Sequence, residues 1–542
     1  MTPLNLLTDA DLPTGDHLDG ASLSLAWSIP FFSLLLSISL LPLLAPHVWH
    51  KHYGGIAAGH AAAMLLPMMV FEDTSAVVTE VLAALLHEYI PFIAIIFALF
   101  VTAGGIRITN AVPLSGTPWQ NAAILLFGTS IASIIGTTGA SLLLVRPLMR
   151  GNEWRSHKTH IFVYFIFLVA NIGGSLSPLG DPPLFLGFLK GVDFLWFTTH
   201  MIKPMATLVA LLLPGFFAMD CYYYFRKEDL SLAPWNRAGG TEARKPLAAE
   251  RGTGGRTEET PLMGAPTDAV ALDHDPDSDD DVGDVALDEG FAHMPPSVRT
   301  AAATGDWSNV PILTRVAASI DGWRNIPLVL LVPLTILLTG LWEIENPHVF
   351  TVHDVRMDAE DVVRDVVLIS IGIVSVLITP ASTRILNGFS WFPIVEVAKL
   401  FLAIFITIIP AVAILEAGTR GELSFIVEAV TENHEPHNMR YFWFTGVLSA
   451  FLDNAPTFVI FFNVAGGDAD VLMHTLTTTL LAISCGSVFM GAGTLVGNAP
   501  NLLVKSIVED RGIRMPSFLM YIVWAVLLLV PSLIIMSFIF FW

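Results

Sequence analysis

Two aspartates stand where charge is costly. Asp453 lies in Phe451-Leu452-Asp453-Asn454-Ala455-Pro456-Thr457, and Asp181 ends Gly173-Gly174-Ser175-Leu176-Ser177-Pro178-Leu179-Gly180-Asp181, followed by Pro182-Pro183, with apolar runs on both sides of each. A carboxylate at the centre of a bilayer costs roughly 2.5–3.5 kcal/mol even on a lenient insertion scale, so its presence argues for a use. A carboxylate that holds either a proton or a small cation, but not both, can exchange one for the other. The plainer alternative is that one of the two only caps the N-terminus of a half-helix, which Asp does well.

Each aspartate sits in a segment that has a counterpart elsewhere in the chain. Ile135-Gly136-Thr137-Thr138-Gly139-Ala140-Ser141 matches the Asp453 segment at an offset of 316, and the Asp181 segment matches Met490-Gly491-Ala492-Gly493-Thr494-Leu495-Val496-Gly497-Asn498-Ala499-Pro500 at 317. Gly174 then pairs with Gly491, Ser177 with Thr494, Gly180 with Gly497, Asp181 with Asn498 and Pro183 with Pro500. Gly and Pro interrupt a helix and leave backbone groups without partners, which hydrocarbon does not tolerate, so such breaks must line a cavity. Half-helix ends carry partial charges. With Thr137, Thr138, Ser177, Thr494, Asn454 and Asn498, the breaks offer oxygens suited to a small hard cation.

The elements that must position these residues are read from hydropathy and charge. The chain has 542 residues, is 54% hydrophobic and only 14% charged, and has a mean hydropathy of +0.65. Ordinary globular chains carry about 25% charged residues. A multi-pass, all-α membrane protein is expected. Its apolar runs fall at 23–46, 54–71, 90–104, 119–150, 159–189 and 196–224, and again at 326–342, 366–380, 392–416, 441–466, 473–508 and 516–541. Basic loops mark the cytoplasmic side. Lys51, Arg107, Arg146, Arg150, Arg155, Lys158, Arg384, Lys505, Arg511 and Arg514 belong there, and Glu72, Asp73, Glu80, Glu88, Glu422, Glu428, Glu432 and Glu435 belong outside, with Lys190 an exception. Runs 119–150 and 441–466 then begin and end on one side, as re-entrant hairpins from opposite faces. Each half has about five crossings, one re-entrant hairpin and one broken helix, and the halves are inverted. That is the architecture of a secondary transporter.

The net charge of −21 argues against any nucleic-acid role. Residues 1–22 lack a basic region before the first apolar run and read as an extracytoplasmic tail with no cleavable signal. Beyond that tail, 23–224 and 324–542 form the two membrane repeats. Residues 225–323 hold 18 Asp/Glu against 9 Lys/Arg and read as a disordered cytoplasmic linker. Its Asp277-Ser278-Asp279-Asp280-Asp281 run resembles a calcium loop, but Val282 stands at the Gly position and Asp288 where a Glu should close it. Cys221 and Cys485 lie in different halves and read as small hydrophobes. Glu396 and Lys399, three apart on one helix, could pair as a gate. No phosphate-binding Gly-rich loop, nucleophile constellation or resident metal cluster occurs, so an ion gradient is the expected energy source and no cofactor is expected.

On these residues the chain resembles the ion transporter superfamily. The Asp453-Asn454-x-Pro456 tip and the paired Gly-(Asp/Asn)-x-Pro breaks carry the likeness, over both membrane halves but not the acidic linker. The superfamily includes bacterial sodium/proton antiporters, arsenite efflux permeases and citrate or dicarboxylate carriers. The resemblance implies inverted repeats, a transport domain beside a scaffold domain, and often a homodimer in the bacterial inner membrane. The Ser-Asn-Thr tip motif of sodium-coupled dicarboxylate carriers is absent here, and Asp-Asn at the second tip is similar to the sodium/proton antiporter branch. The expected function is therefore Na⁺ (or Li⁺)/H⁺ antiport by alternating access, with Asp453 or Asp181 carrying the proton. The alternatives are a cation-coupled carrier for citrate or a related carboxylate, since a metal–citrate substrate would soften the charge conflict, and arsenite efflux with less support. A channel or an intramembrane hydrolase fits the matched breaks poorly.

Overall fold

The computed structural model describes residues 18–109, 114–233, 311, 319–342, 348–432 and 435–542. Most of the 1–22 tail and of the 225–323 linker, including the Asp277–Asp281 run, lies outside the described residues. The chain is mostly helical. Among the described residues, seven helices are long and apolar enough to cross a membrane, or eight if one bent pair is counted as a single span.

The first half runs α1 (Ile29–Leu44), α2 (Pro46–Phe71) and α3 (Thr74–Ala83), which passes through a π-helical segment, Ala84–Tyr89, into α4 (Ile90–Gly104). Next come α5 (Pro118–Ile135) and α6 (Thr137–Gly151), which pack side by side as a helical hairpin. The run expected at 159–189 is split into α7 (Thr159–Leu168), a 3₁₀ turn at Ile172–Leu176, and α8 (Pro182–Leu189), and the 33-residue α9 (Phe194–Arg226) closes the half.

The second half opens with α10 (Asn325–Gly340), α11 (Ala359–Ile378) and the short α12 (Ala381–Leu386). Helices α13 (Phe392–Thr407) and α14 (Ile409–Glu416) meet at a bend of 42°, with Pro410 in the first turn of α14. After α15 (Ser424–Val430), α16 (Asn438–Leu452) and α17 (Asn454–Val464) form a second hairpin. The chain then runs through α18 (Ala469–His474), α19 (Thr477–Met490), a 3₁₀ turn at Gly491–Gly493, α20 (Ala499–Asp510) and α21 (Phe518–Phe541). Among the described residues, antiparallel strand pairs occur only in connections: Arg107–Ile108 with Ile320–Asp321, His348–Val352 with Val355–Asp358, and Thr431–Glu432 with Glu435–Pro436.

Connections at one end of the molecule gather the basic residues. Arg150 donates to the Ile108 carbonyl at 2.8 Å, Thr159 to the Arg514 carbonyl at 2.9 Å, and Arg107 lies 3.6 Å from Asp321. Beneath them is a buried polar knot that the sequence reading missed. Asp220, on α9, takes Arg155 at 2.5 Å, His160 at 2.9 Å and Asn121 at 2.9 Å, tying α5, α7 and α9 together. In other connections Glu88 lies 3.3 Å from Lys190, and Thr79 donates to the His353 carbonyl at 3.4 Å.

The interior is filled by α7, whose nine residues from His160 to Leu168 are all buried, and by the broken stretches around it. A helix apolar all round must be surrounded by protein or lipid. With α7 buried, backbone groups freed at the break beside it find protein partners, Gly174 N–H donating to the Asn171 carbonyl at 2.9 Å and Gly180 N–H to the Ser177 carbonyl at 3.1 Å.

Candidate functional site

Both hairpins turn in the same unusual backbone conformation. Gly136 has φ 77 and ψ 151, and Asp453 has φ 80 and ψ 146. This region is essentially reserved for Gly, and any other residue there costs of order 1–3 kcal/mol. The first hairpin meets the requirement with a glycine, whereas the second places a carboxylate in it. The turns lie 317 residues apart, so the hairpin tips share the spacing of the breaks and not the 316 expected from sequence.

The breaks repeat the same hydrogen bonds at that spacing. The Ser177 hydroxyl donates to the Ser133 carbonyl, and the Thr494 hydroxyl to the Ala450 carbonyl. Leu179 N–H then donates to Ser177 Oγ at 3.2 Å, and Val496 N–H to Thr494 Oγ1 at 3.2 Å. Gly180 and Gly497 are required by close approach: a Cβ at either would run into the carbonyl of Gly174 or Gly491. Asp181 (φ −149, ψ 141) and Asn498 (φ −156, ψ 137) precede α8 and α20 in the same extended form, with Pro183 and Pro500 in the first turns. Proline suits a first turn because its missing N–H is not needed there.

Neither Asp181 nor Asn498 caps its helix with its side chain. The Asp181 carboxylate, 1% exposed, instead accepts from the Asn454 amide at 2.7 Å and from the Asn498 amide at 3.1 Å. One carboxylate thus joins the break of the first half to both the hairpin and the break of the second. Asp453 is only partly buried and does cap, taking the Asn454 N–H on Oδ1 at 2.8 Å. The two acids therefore divide the roles foreseen for either: Asp453 carries the cap, and Asp181 is free of it.

Sequence reasoning missed the asparagines that complete the network. Asn171 accepts from Asn498 at 3.2 Å and donates to Asn501 at 2.7 Å, and Asn501 donates to the Gly491 and Thr494 carbonyls at 2.9 Å each. Their signal was available in the sequence, since each is an amide next to a Gly- or Pro-marked break in an apolar run. Asn454 Oδ1 is buried without a hydrogen-bond partner, as are the Ser141 and Ser175 hydroxyls. Thr137 is buried, and its N–H donates to the Gly180 carbonyl at 3.0 Å. Thr138 is partly buried one position on.

Glu396 and Lys399 do not pair with each other. Glu396 faces Trp49 and His50 of α2, and the Lys399 ammonium sits 5.4 Å over the Tyr53 ring. Residues three apart on a helix are neighbours, but the aromatic face of α2 competes for both side chains.

Among the described residues, no Lys or Arg forms an ion pair with Asp181 or Asp453, and no group of three or more His, Cys, Asp or Glu side chains is placed to hold a metal. A buried carboxylate without a cationic partner is costly to keep charged, and a proton or a bound cation would offset that cost. Four helix N-termini, those of α6, α8, α17 and α20, start at these breaks and turns and lend partial positive charge there.

No curated protein matches the chain. A family model described as "Putative citrate transport" matches residues 20–246 and 306–541, which is both membrane halves without the middle of the acidic linker. The chain is a multi-pass membrane protein and belongs to that citrate-transport family.

Proposed function

We propose that the chain is a secondary carrier that moves citrate or a related carboxylate together with cations, by alternating access. The observation that carries this is the Asp181 carboxylate, buried and held by Asn454 and Asn498, in a member of a citrate-transport family. In this reading the two halves are inverted repeats, the α5–α6 and α16–α17 hairpins are re-entrant, and the N-termini of the half-helices face the anionic cargo. Asp181 and Asp453 hold the coupling cation, whether Na⁺, a divalent ion or H⁺, and Thr137, Thr138, Ser177, Thr494 and Asn498 shape the cavity. The basic end is cytoplasmic, in a bacterial inner membrane, and a homodimer fits the superfamily.

Electrostatics decides how the cargo travels. Two unit charges 4 Å apart repel by about 4 kcal/mol at an effective dielectric of 20. A free tricarboxylate would meet two carboxylates with no Lys or Arg between them, so citrate enters as a cation complex or after its cations. The same feature supports the second reading, Na⁺ (or Li⁺)/H⁺ antiport, in which the cation moves alone. The experiment that separates them is uptake of radiolabelled citrate by purified protein in liposomes, with Na⁺, Mg²⁺ or a pH gradient supplied in turn. Accumulation that needs citrate and a cation together supports the carrier. Proton movement triggered by Na⁺ or Li⁺ with no citrate present supports the antiporter and sinks the carrier.

A further inference from the structure

Helices α8 and α17, which start at the two aspartates, lie against the π segment, α4 and α13 through an apolar surface. Phe185 of α8 is 6.2 Å from Phe92, which stacks on Phe401 at 4.4 Å and meets Phe405 at 5.9 Å. A pocket of only about 10 Å³ lies in this surface between Leu186, Phe401, Pro456 and Val459. Glu88 is its one charged lining residue. Pro456 is two positions into α17 from its first residue, Asn454, so the pocket reaches toward the Asp453 turn. Its chain neighbour His87 borders a second cavity of about 310 Å³, lined also by Phe188, Trp342, Glu360, Asp361 and Arg364.

One ion pair crosses that surface among the described residues: Lys190 Nζ, at the end of α8, lies 3.3 Å from Glu88 Oε1, with the two side chains 19% and 25% exposed. Lys190 is the residue after α8, about 13.5 Å along the helix from Asp181 at 1.5 Å per residue. Glu88 lies in the π-helical segment, and such wider turns inside a helix recur at functional positions because they re-aim one side chain. Apolar contact has no preferred direction, so a phenylalanine-lined surface allows sliding at small cost. A charge pair favours one position.

We propose that Glu88 and Lys190 are the latch of this surface. They hold α8 against the π segment and keep the narrow pocket beneath Glu88 shut off from the second cavity, and parting them opens the path from that cavity toward Asp453. The inference rests on the transport reading only in treating the opened form as a step of a cycle.

The test is the reactivity of a cysteine placed in the pocket, in proteoliposomes, with a membrane-impermeant thiosulfonate reagent. Val459→Cys is made in a Cys221→Ser chain, and the parent that keeps Val459 gives the background from the buried Cys485. With the pair intact, the introduced thiol reacts slowly. Glu88→Gln and Lys190→Gln each raise its rate about fivefold, which is about 1 kcal/mol of closing bias at 1.4 kcal/mol per tenfold. The exchanged pair Glu88→Lys with Lys190→Glu returns the rate to that of the unexchanged pair. Equal rates in all four chains, or no recovery in a folded exchange variant, overturn the latch. Should the neutral variants speed labelling while citrate with Na⁺ or Mg²⁺ leaves it unchanged and no uptake is seen, the latch stands and the citrate reading falls.

Discussion

Replacing Asp453 by glycine should stabilise the protein while abolishing transport. Asp453 occupies φ 80 and ψ 146, where its counterpart at the other hairpin tip is Gly136 at φ 77 and ψ 151. Relief of the backbone strain is worth about 1–3 kcal/mol. Against that stand the lost side-chain acceptor for the Asn454 N–H, a few tenths when Gly replaces a capping residue, and the greater freedom of an unfolded glycine, about 0.4–1 kcal/mol. The balance is a gain of about 1 kcal/mol. Asp453→Ala keeps the strain and loses the cap, so it should destabilise by about 1 kcal/mol. The two variants thus differ in sign. Unfolding of the purified protein by SDS titration in mixed micelles measures both, and citrate uptake reads function. A glycine variant that is destabilised as much as the alanine variant would show that the turn is not strained, and the reasoning from its backbone would be refuted.

Four further outcomes follow from the same geometry. Gly136→Ala should lose about 1–3 kcal/mol from φ alone, because its Cβ would have room, 3.4 Å from the Leu179 carbonyl and 3.7 Å from Leu99; the same titration reads it, and no loss would contradict the assigned turn. Gly180→Ala and Gly497→Ala should fold poorly or not at all, since each Cβ meets a backbone carbonyl that cannot move aside; expression with a monodisperse gel-filtration peak would count against this. Asn501→Leu leaves the Gly491 and Thr494 carbonyls without the amide that meets them and the Asn171 amide with only the Ile166 carbonyl, at about 1–3 kcal/mol for each buried carbonyl left unpaired; a thermal midpoint equal to wild type would contradict it. Arg155→Gln uncovers the buried Asp220 carboxylate, which should cost about 3–5 kcal/mol of stability, while the folded fraction keeps its uptake rate; normal stability would mean that His160 and Asn121 suffice.

The parts legible in sequence were those where backbone chemistry leaves a residue signature. Gly174, Gly180 and Gly497 mark the breaks because the chain there passes too close to itself for a side chain, and Gly491 sits in a tighter fit than most Cβ atoms meet. The apolar runs at 119–150 and 441–466 are helical hairpins, and those at 159–189 and 473–508 are interrupted where the Gly-rich motifs stand. The one-residue error in pairing the hairpin tips arose because Gly136 and Asp453 share a conformation but not a residue type. Side-chain pairing was less legible. Spacing alone could not foresee that Glu396 and Lys399 would turn to α2, nor that Asp181 would leave its helix uncapped to meet Asn454 and Asn498 from the other half. The π segment at Ala84–Tyr89 leaves no residue signature, because its extra residue per turn is set by packing.

The central claim is that Asp181 is the carboxylate on which the coupling cation is held during citrate movement. Wild type and the Asp181→Asn variant, reconstituted at equal density in liposomes, should be compared for accumulation of radiolabelled citrate under an imposed cation gradient. Wild type should concentrate citrate above the external level, and Asp181→Asn should lose that gradient-driven accumulation by at least about a hundredfold, equivalent to about 3 kcal/mol of lost coupling. Undiminished accumulation by the Asp181→Asn protein would contradict the account.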